Sequence, residues 1–129
     1  MKAAVQTKAG SWLVDLENDE VLESDVDVPE SQSVALSLPL VVAAAASGST
    51  VVAVIDRRPP LAISHDAGET WREAGGGLPA GFAVAIADDE PDRMLYAARN
   101  RLYVSANGGV FWRGLTLELP DIVSVAWID

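Results

Sequence analysis

The feature that most narrows what this chain can fold into is a spacing. Ser105 lies 41 residues after Ser64, and the same offset carries Leu61 onto Leu102, Ile63 onto Val104 and Trp71 onto Trp112. Around both copies the apolar residues come in short runs or in alternation, broken by polar and glycine-rich turns. No window places them at helical spacing, so the pattern is that of strands. A fixed period of about forty residues holding four short strands predicts propeller blades, each burying its faces against its neighbours.

The second blade is predicted over residues 41–80. Its strands are Val41–Ala46, Thr50–Ile55, Leu61–Ser64 and one starting at Trp71. The third blade is predicted over 81–121, with strands Phe82–Ala87, Arg93–Ala98, Arg101–Ser105 and Phe111–Leu117. The first third is a weaker copy. Lys2–Thr7, Ser11–Leu16 and Val21–Val28 supply a second, third and fourth strand with no first strand ahead of them. Ile122–Ile128 has the character of the missing innermost strand, so the first blade is predicted as 122–129 plus 1–28. Residues 30–40 fit the repeat poorly and read as a long loop or as a competing register for the next strand.

The two clearest turns carry one motif. Ser64-His65-Asp66-Ala67-Gly68-Glu69-Thr70-Trp71 reads S-x-D-x-G-x-T-W, and Ser105-Ala106-Asn107-Gly108-Gly109-Val110-Phe111-Trp112 reads S-x-N-x-G-x-F-W. This resembles the Asp-box, or BNR repeat, of sialidase-like and sortilin-like β-propellers. The first copy matches in full; the second has Asn for Asp and Phe for Thr. A remnant survives at Asp15-Leu16-Glu17-Asn18-Asp19. The chemistry of such a turn is structural: a short side-chain oxygen accepts backbone N–H groups. Glycine supplies a positive φ, and the tryptophan packs beneath. Ser64, Asp66, Gly68, Thr70, Trp71, Ser105, Asn107, Gly109 and Trp112 are therefore expected to hold turns and not ligands. The resemblance implies an all-β fold of three four-stranded blades, half a propeller.

Composition closes off several kinds of chemistry. The chain has no cysteine and one histidine, which leaves no disulfide, thiol nucleophile or nitrogen–sulfur zinc site. Nine basic residues stand against nineteen acidic ones, a net charge of -10, which disfavours generic nucleic-acid binding. The start of the chain lacks the apolar run of a signal peptide, and the apolar stretch Val34–Ala46 contains Pro39 and is too short to span a bilayer. A cytoplasmic protein with no membrane partner and no cofactor is expected. Asp15–Asp19 looks superficially like a calcium loop. An EF-hand needs Gly at the sixth position and Glu at the twelfth, where this chain has Glu20 and Val26. A solvated acidic hairpin is the better reading. His65 occupies a variable position of the motif, off any central pocket. A sialidase-like site would need an arginine cluster and an axial tyrosine. The family's R-I-P signature is absent, Arg58-Pro59-Pro60 being no substitute, and only Tyr96 and Tyr103 are available.

The cations are distributed less randomly. Lys8, Arg57, Arg58, Arg99 and Arg101 all fall at or beside the turn between second and third strands, which puts them on one face of a propeller. Asp88, Asp89 and the acids of the motif turns fall on the other. The set is a candidate anionic-ligand surface; the alternative is that the arginines pair with neighbouring acids. The expected function is a non-catalytic scaffold or binding module for protein–protein interaction. The alternative is a glycan-binding lectin using Trp12 and Trp127, and a sialidase-like hydrolase ranks below both. Three blades are fewer than the four to eight of typical propellers. A homodimer is therefore expected, closing a six-bladed ring in which each Ile122–Ile128 strand completes the partner's first blade.

Overall fold

The computed structural model describes residues 1–30, 34, 36 and 38–128. Twelve strands form three antiparallel four-stranded sheets, with no helix among the described residues. The first blade has the order β12(Ile122–Trp127)-β1(Lys2–Thr7)-β2(Gly10–Asp15)-β3(Glu20–Ser24). The second runs β4(Val41–Ser47)-β5(Thr50–Ile55)-β6(Leu61–Ser64)-β7(Arg72–Ala74). The third runs β8(Ala83–Ala87)-β9(Glu90–Ala97)-β10(Leu102–Ser105)-β11(Arg113–Gly114). Each sheet has the four antiparallel strands expected of a blade. Two strands are shorter than expected by several residues. β3 stops at Ser24 because Asp25 takes a positive φ of 55° while its N–H donates to Ser11 O. β11 has two residues because Leu115 turns inward to become fully buried.

Within the chain, Ile122–Trp127 pairs with β1, Val5 opposite Val125 and Ala3 opposite Trp127. The physical reason lies in the seven residues that precede it. Leu119 N–H donates to Asn100 O, Ile122 N–H to Arg99 O, and Lys8 N–H to Asp121 O. These bonds tie the connection to the β9–β10 and β1–β2 turns, so the strand is delivered to the inner edge of β1. No blade is left incomplete.

The blades pack in the order second, third, first, with β8 touching both β4 and β12. Alternation along each strand sends successive side chains to opposite faces. Val52, Val54, Leu61 and Ile63 of the second blade meet Val84, Ile86, Met94 and Tyr96 of the third. On the other side, Leu95, Ala97, Leu102 and Val104 of the third meet Ala3, Val5, Val14 and Leu16 of the first. The second blade's outer face is lined by small residues, Ala44, Ala53 and Ala62, with Ile55, and Leu36 and Leu38 of the long connection lie over it. The connection also touches the first blade, where Ser11 Oγ donates to Val26 O at 2.6 Å.

Candidate functional site

The two motif turns are the most fully determined local structures. Ser64 Oγ donates to Asp66 Oδ1 at 2.6 Å and accepts from Gly68 N–H at 2.8 Å. Asp66 accepts from Thr70 N–H at 2.8 Å and from the Thr70 hydroxyl at 2.5 Å. Trp71 Nε1 then donates to Gly68 O at 3.0 Å. The third blade repeats these bonds except the one from the Thr70 hydroxyl, since Phe111 has none. Gly109 N–H donates to Ser105 Oγ, Phe111 N–H to Asn107 Oδ1 and Trp112 Nε1 to Gly109 O, each at 3.0 Å. Hydrogen bonds from Ser64 and Thr70 hold the Asp66 carboxyl down to about 2. These side chains are spent on the turn, and His65 stands exposed beside them.

The first blade's remnant is an exposed hairpin, as expected, with one acid turned towards the third blade. Asp15 Oδ1 accepts from Glu17 N–H and Asn18 N–H, and the Asn18 amide donates to Asp15 Oδ2 at 2.8 Å, which lowers the Asp15 carboxyl. Asp19 faces the third blade. It pairs with Arg113 at 2.9 Å and accepts from Thr116 N–H and Oγ1–H, and the Arg113 bond leads in lowering its pKa. Arg113 also donates to Leu16 O. Arg72, 41 residues earlier, donates to Gly108 O at 2.8 Å in the same way. Each arginine follows a motif tryptophan and stitches its blade to the turn of the next. The sequence reading missed this pair, although the repeat offset alone would have singled it out.

Two concavities lie at opposite ends of the array. At the end carrying the β5–β6, β9–β10 and β1–β2 turns, a cavity of about 390 Å³ is lined by Pro79, Phe82, Arg99, Asn100, Arg101 and Tyr103 among others. Phe82 is 51% exposed there. The structure gathers the predicted cations unevenly. Lys8 and Arg99 both reach Asp121, at 4.0 and 3.2 Å, and Arg101 reaches Glu118 at 3.0 Å. Arg57 and Arg58 sit exposed on the second blade's turn with no ion pair among the described residues. Surface pairs of this kind contribute at most about 1 kcal/mol each, so the guanidinium groups stay available to a ligand.

At the other end an axial cleft of about 380 Å³ opens between the three innermost strands. Ala45, Val84, Ile86 and Val125 form its walls, Trp127 and Ile128 one side, and Glu30, Asp88 and Asp89 its charged lining. Trp127, one of the two tryptophans expected to serve a glycan, is held in place by an Nε1–H bond to Ala85 O at 3.3 Å. Trp12, the other, packs against the core between the first and third blades. Tyr103 lines the first cavity beside Arg99 and Arg101. Tyr96 is fully buried between the second and third blades, its hydroxyl donates to Pro79 O at 2.6 Å, and burial pushes its pKa far up.

No family model matches the chain, and no curated protein does. Among solved structures it is similar to a GH74 enzyme of Niastella koreensis. The identity is 21%, the TM-score 0.52, and the match covers 92% of this chain and 18% of that one. The chain therefore spans about a fifth of that enzyme's length. The likeness establishes the class of fold, a propeller-type all-β array of three four-stranded blades.

Proposed function

We propose that this chain is a non-catalytic binding module of the Asp-box propeller type, docking an acidic segment of a partner protein at the β9–β10 turn. The observation that carries the reading is the cavity that joins Arg99 and Arg101 to the exposed ring of Phe82 and to Tyr103. Cations flanking an aromatic surface suit a peptide carrying carboxylates and apolar side chains. The absence of a catalytic role is supported by where the displaced pKa values fall. Asp15, Asp19 and Asp66 serve turns, Tyr96 serves the core, and none of them lines either concavity.

A labelled decapeptide of alternating glutamate and leucine tests the docking surface. Arg99→Glu with Arg101→Glu should weaken its binding at least tenfold at low salt while leaving the melting transition unchanged. Undiminished binding overturns the reading. Retention of neutral glycans on an array by the same variant would favour the lectin alternative, and turnover of a synthetic sialoside would favour a hydrolase.

A six-bladed ring of two copies is the second reading. It is favoured by Val42 and Val123, which stand exposed on the innermost strands of the two end blades. Leu36 and Leu38 would have to leave the second blade's outer face to admit it. A light-scattering mass of twice the chain supports the ring, and a folded monomer refutes it.

A further inference from the structure

The axial cleft is not used by the docking surface just described, and its charge has the opposite sign. Asp88 and Asp89 make the two-residue turn between β8 and β9, with Ala87 opposite Glu90 across it. Glu30 arrives from the long connection, directly after Pro29. None of these three carboxylates has an ion pair among the described residues. Uncompensated like charges around a cleft with low-dielectric walls concentrate the field in it. In a chain of net charge -10 that field attracts only cations.

We infer that the axial cleft binds an arginine side chain presented by an extended segment of a partner protein. The walls decide for a cation with an apolar stem over a bare ion. Pro29, Trp127 and Ile128 offer accessible carbon surface along which a three-methylene chain lies while its head stays among the acids. The indole of Trp127 decides for arginine over lysine. A guanidinium stacks on an aromatic face and still forks two N–H groups onto a carboxylate, whereas an ammonium is a compact, strongly hydrated point charge. Trp127 is already oriented by its bond to Ala85 O, so little ordering is left to the moment of binding.

The experiment uses the whole chain and a fluorescein-labelled Ala-Arg-Ala-Arg-Ala peptide, read by anisotropy at low and at physiological salt. Asp88→Asn with Asp89→Asn should weaken binding at least tenfold. Both substitutions suit a turn, and an unchanged melting transition verifies the fold. Glu20→Gln with Glu23→Gln removes the same charge from the exposed strand β3 and should change binding less than twofold. The lysine analogue of the peptide should bind several-fold more weakly, and the indole N–H resonance of Trp127 should shift on titration. Equal losses in the two double variants would reduce the effect to bulk charge and overturn the assignment, as would no binding at low salt. The Arg99→Glu/Arg101→Glu variant separates this site from the other: it should bind the arginine peptide no more weakly than the unaltered chain.

Discussion

The turns Ser64–Trp71 and Ser105–Trp112 share their backbone and indole hydrogen bonds and live in different surroundings. In both, a serine hydroxyl and a short side-chain oxygen organise the backbone, and the indole closes on a carbonyl. Behind them the resemblance ends. Trp112 is wedged between the second and third blades, edge-on to Tyr96 with centroids 6.0 Å apart. Trp71 lies on the second blade's outer face with Leu36 and Leu38, where no further blade follows. The tips differ too: Val110 and Phe111 are 72% and 73% exposed where the first copy has Glu69 and Thr70. The turn is thus a self-contained local unit, and its position in the array sets what its tryptophan is worth.

Truncating the indoles should break the equivalence most. Trp112→Ala opens the blade junction and is expected to cost about 3–5 kcal/mol, as large aromatic truncations in cores do. Trp71→Ala removes packing against a single connection and should cost about 2 kcal/mol. Denaturant unfolding measures both, and equal losses would mean that the outer face is as tightly packed as the junction.

The glycines sharpen the contrast at a smaller scale. Gly68 and Gly109 have φ of 92° and 84°, so alanine strains the backbone at either site. Only at Gly109 would the new Cβ also collide, lying 2.3 Å from Ile63 Cδ1 of the neighbouring blade; at Gly68 the nearest atom is in Trp71 at 3.5 Å. Gly109→Ala should cost about 2–3 kcal/mol and Gly68→Ala about 1 kcal/mol. A cost at Gly68 as large as at Gly109 would contradict the junction geometry.

The smallest effect is a difference in pH response. Asp66 titrates and Asn107 does not. The folded pKa of Asp66, about 2, lies below the ordinary value of 3.8. Its contribution to stability is therefore present above the ordinary value and lost as pH falls from about 4 towards 2. Across that window the exchange protection of the Thr70 N–H should decline, while that of the Phe111 N–H should follow only global stability. Parallel loss at both amides would show that the carboxylate has no local effect.

Much of this was legible beforehand because propeller strands are short, alternating and repeated. Lys2–Thr7, Thr50–Ile55 and Leu61–Ser64 have the bounds that alternation assigned them. The ungapped offset served the third strands and the motif turns but not the second strands. Val51 stands opposite Ser64, whereas Met94, 43 residues later, stands opposite Ser105, because the intervening turns differ by two residues. Pattern also cannot say which copy of a chain a strand will join, since the edge it offers is the same either way. Within this chain three backbone bonds in the connection before Ile122 bring the strand to β1. The predicted cations fall at or beside the β1–β2, β5–β6 and β9–β10 turns. That Asp121 gathers Lys8 and Arg99 depended on the bend of that same connection. The axial cleft draws its residues from three strands and a linker, so no local window contains it.

The pairing of β12 with β1 has a consequence for how the molecule is made. Residues 2–7 leave the ribosome about 120 residues before the strand that completes their sheet. At about 5–20 residues per second that interval is roughly 6–24 s. Throughout it, β1 presents an unpaired inner edge, Ala3, Ala4 and Val5, to whatever strand is nearest. The second and third blades are built from contacts within about forty residues and can form during this wait. Folding of these three blades therefore runs from the middle outward, and the blade containing residues 2–7 is the last of them to be finished.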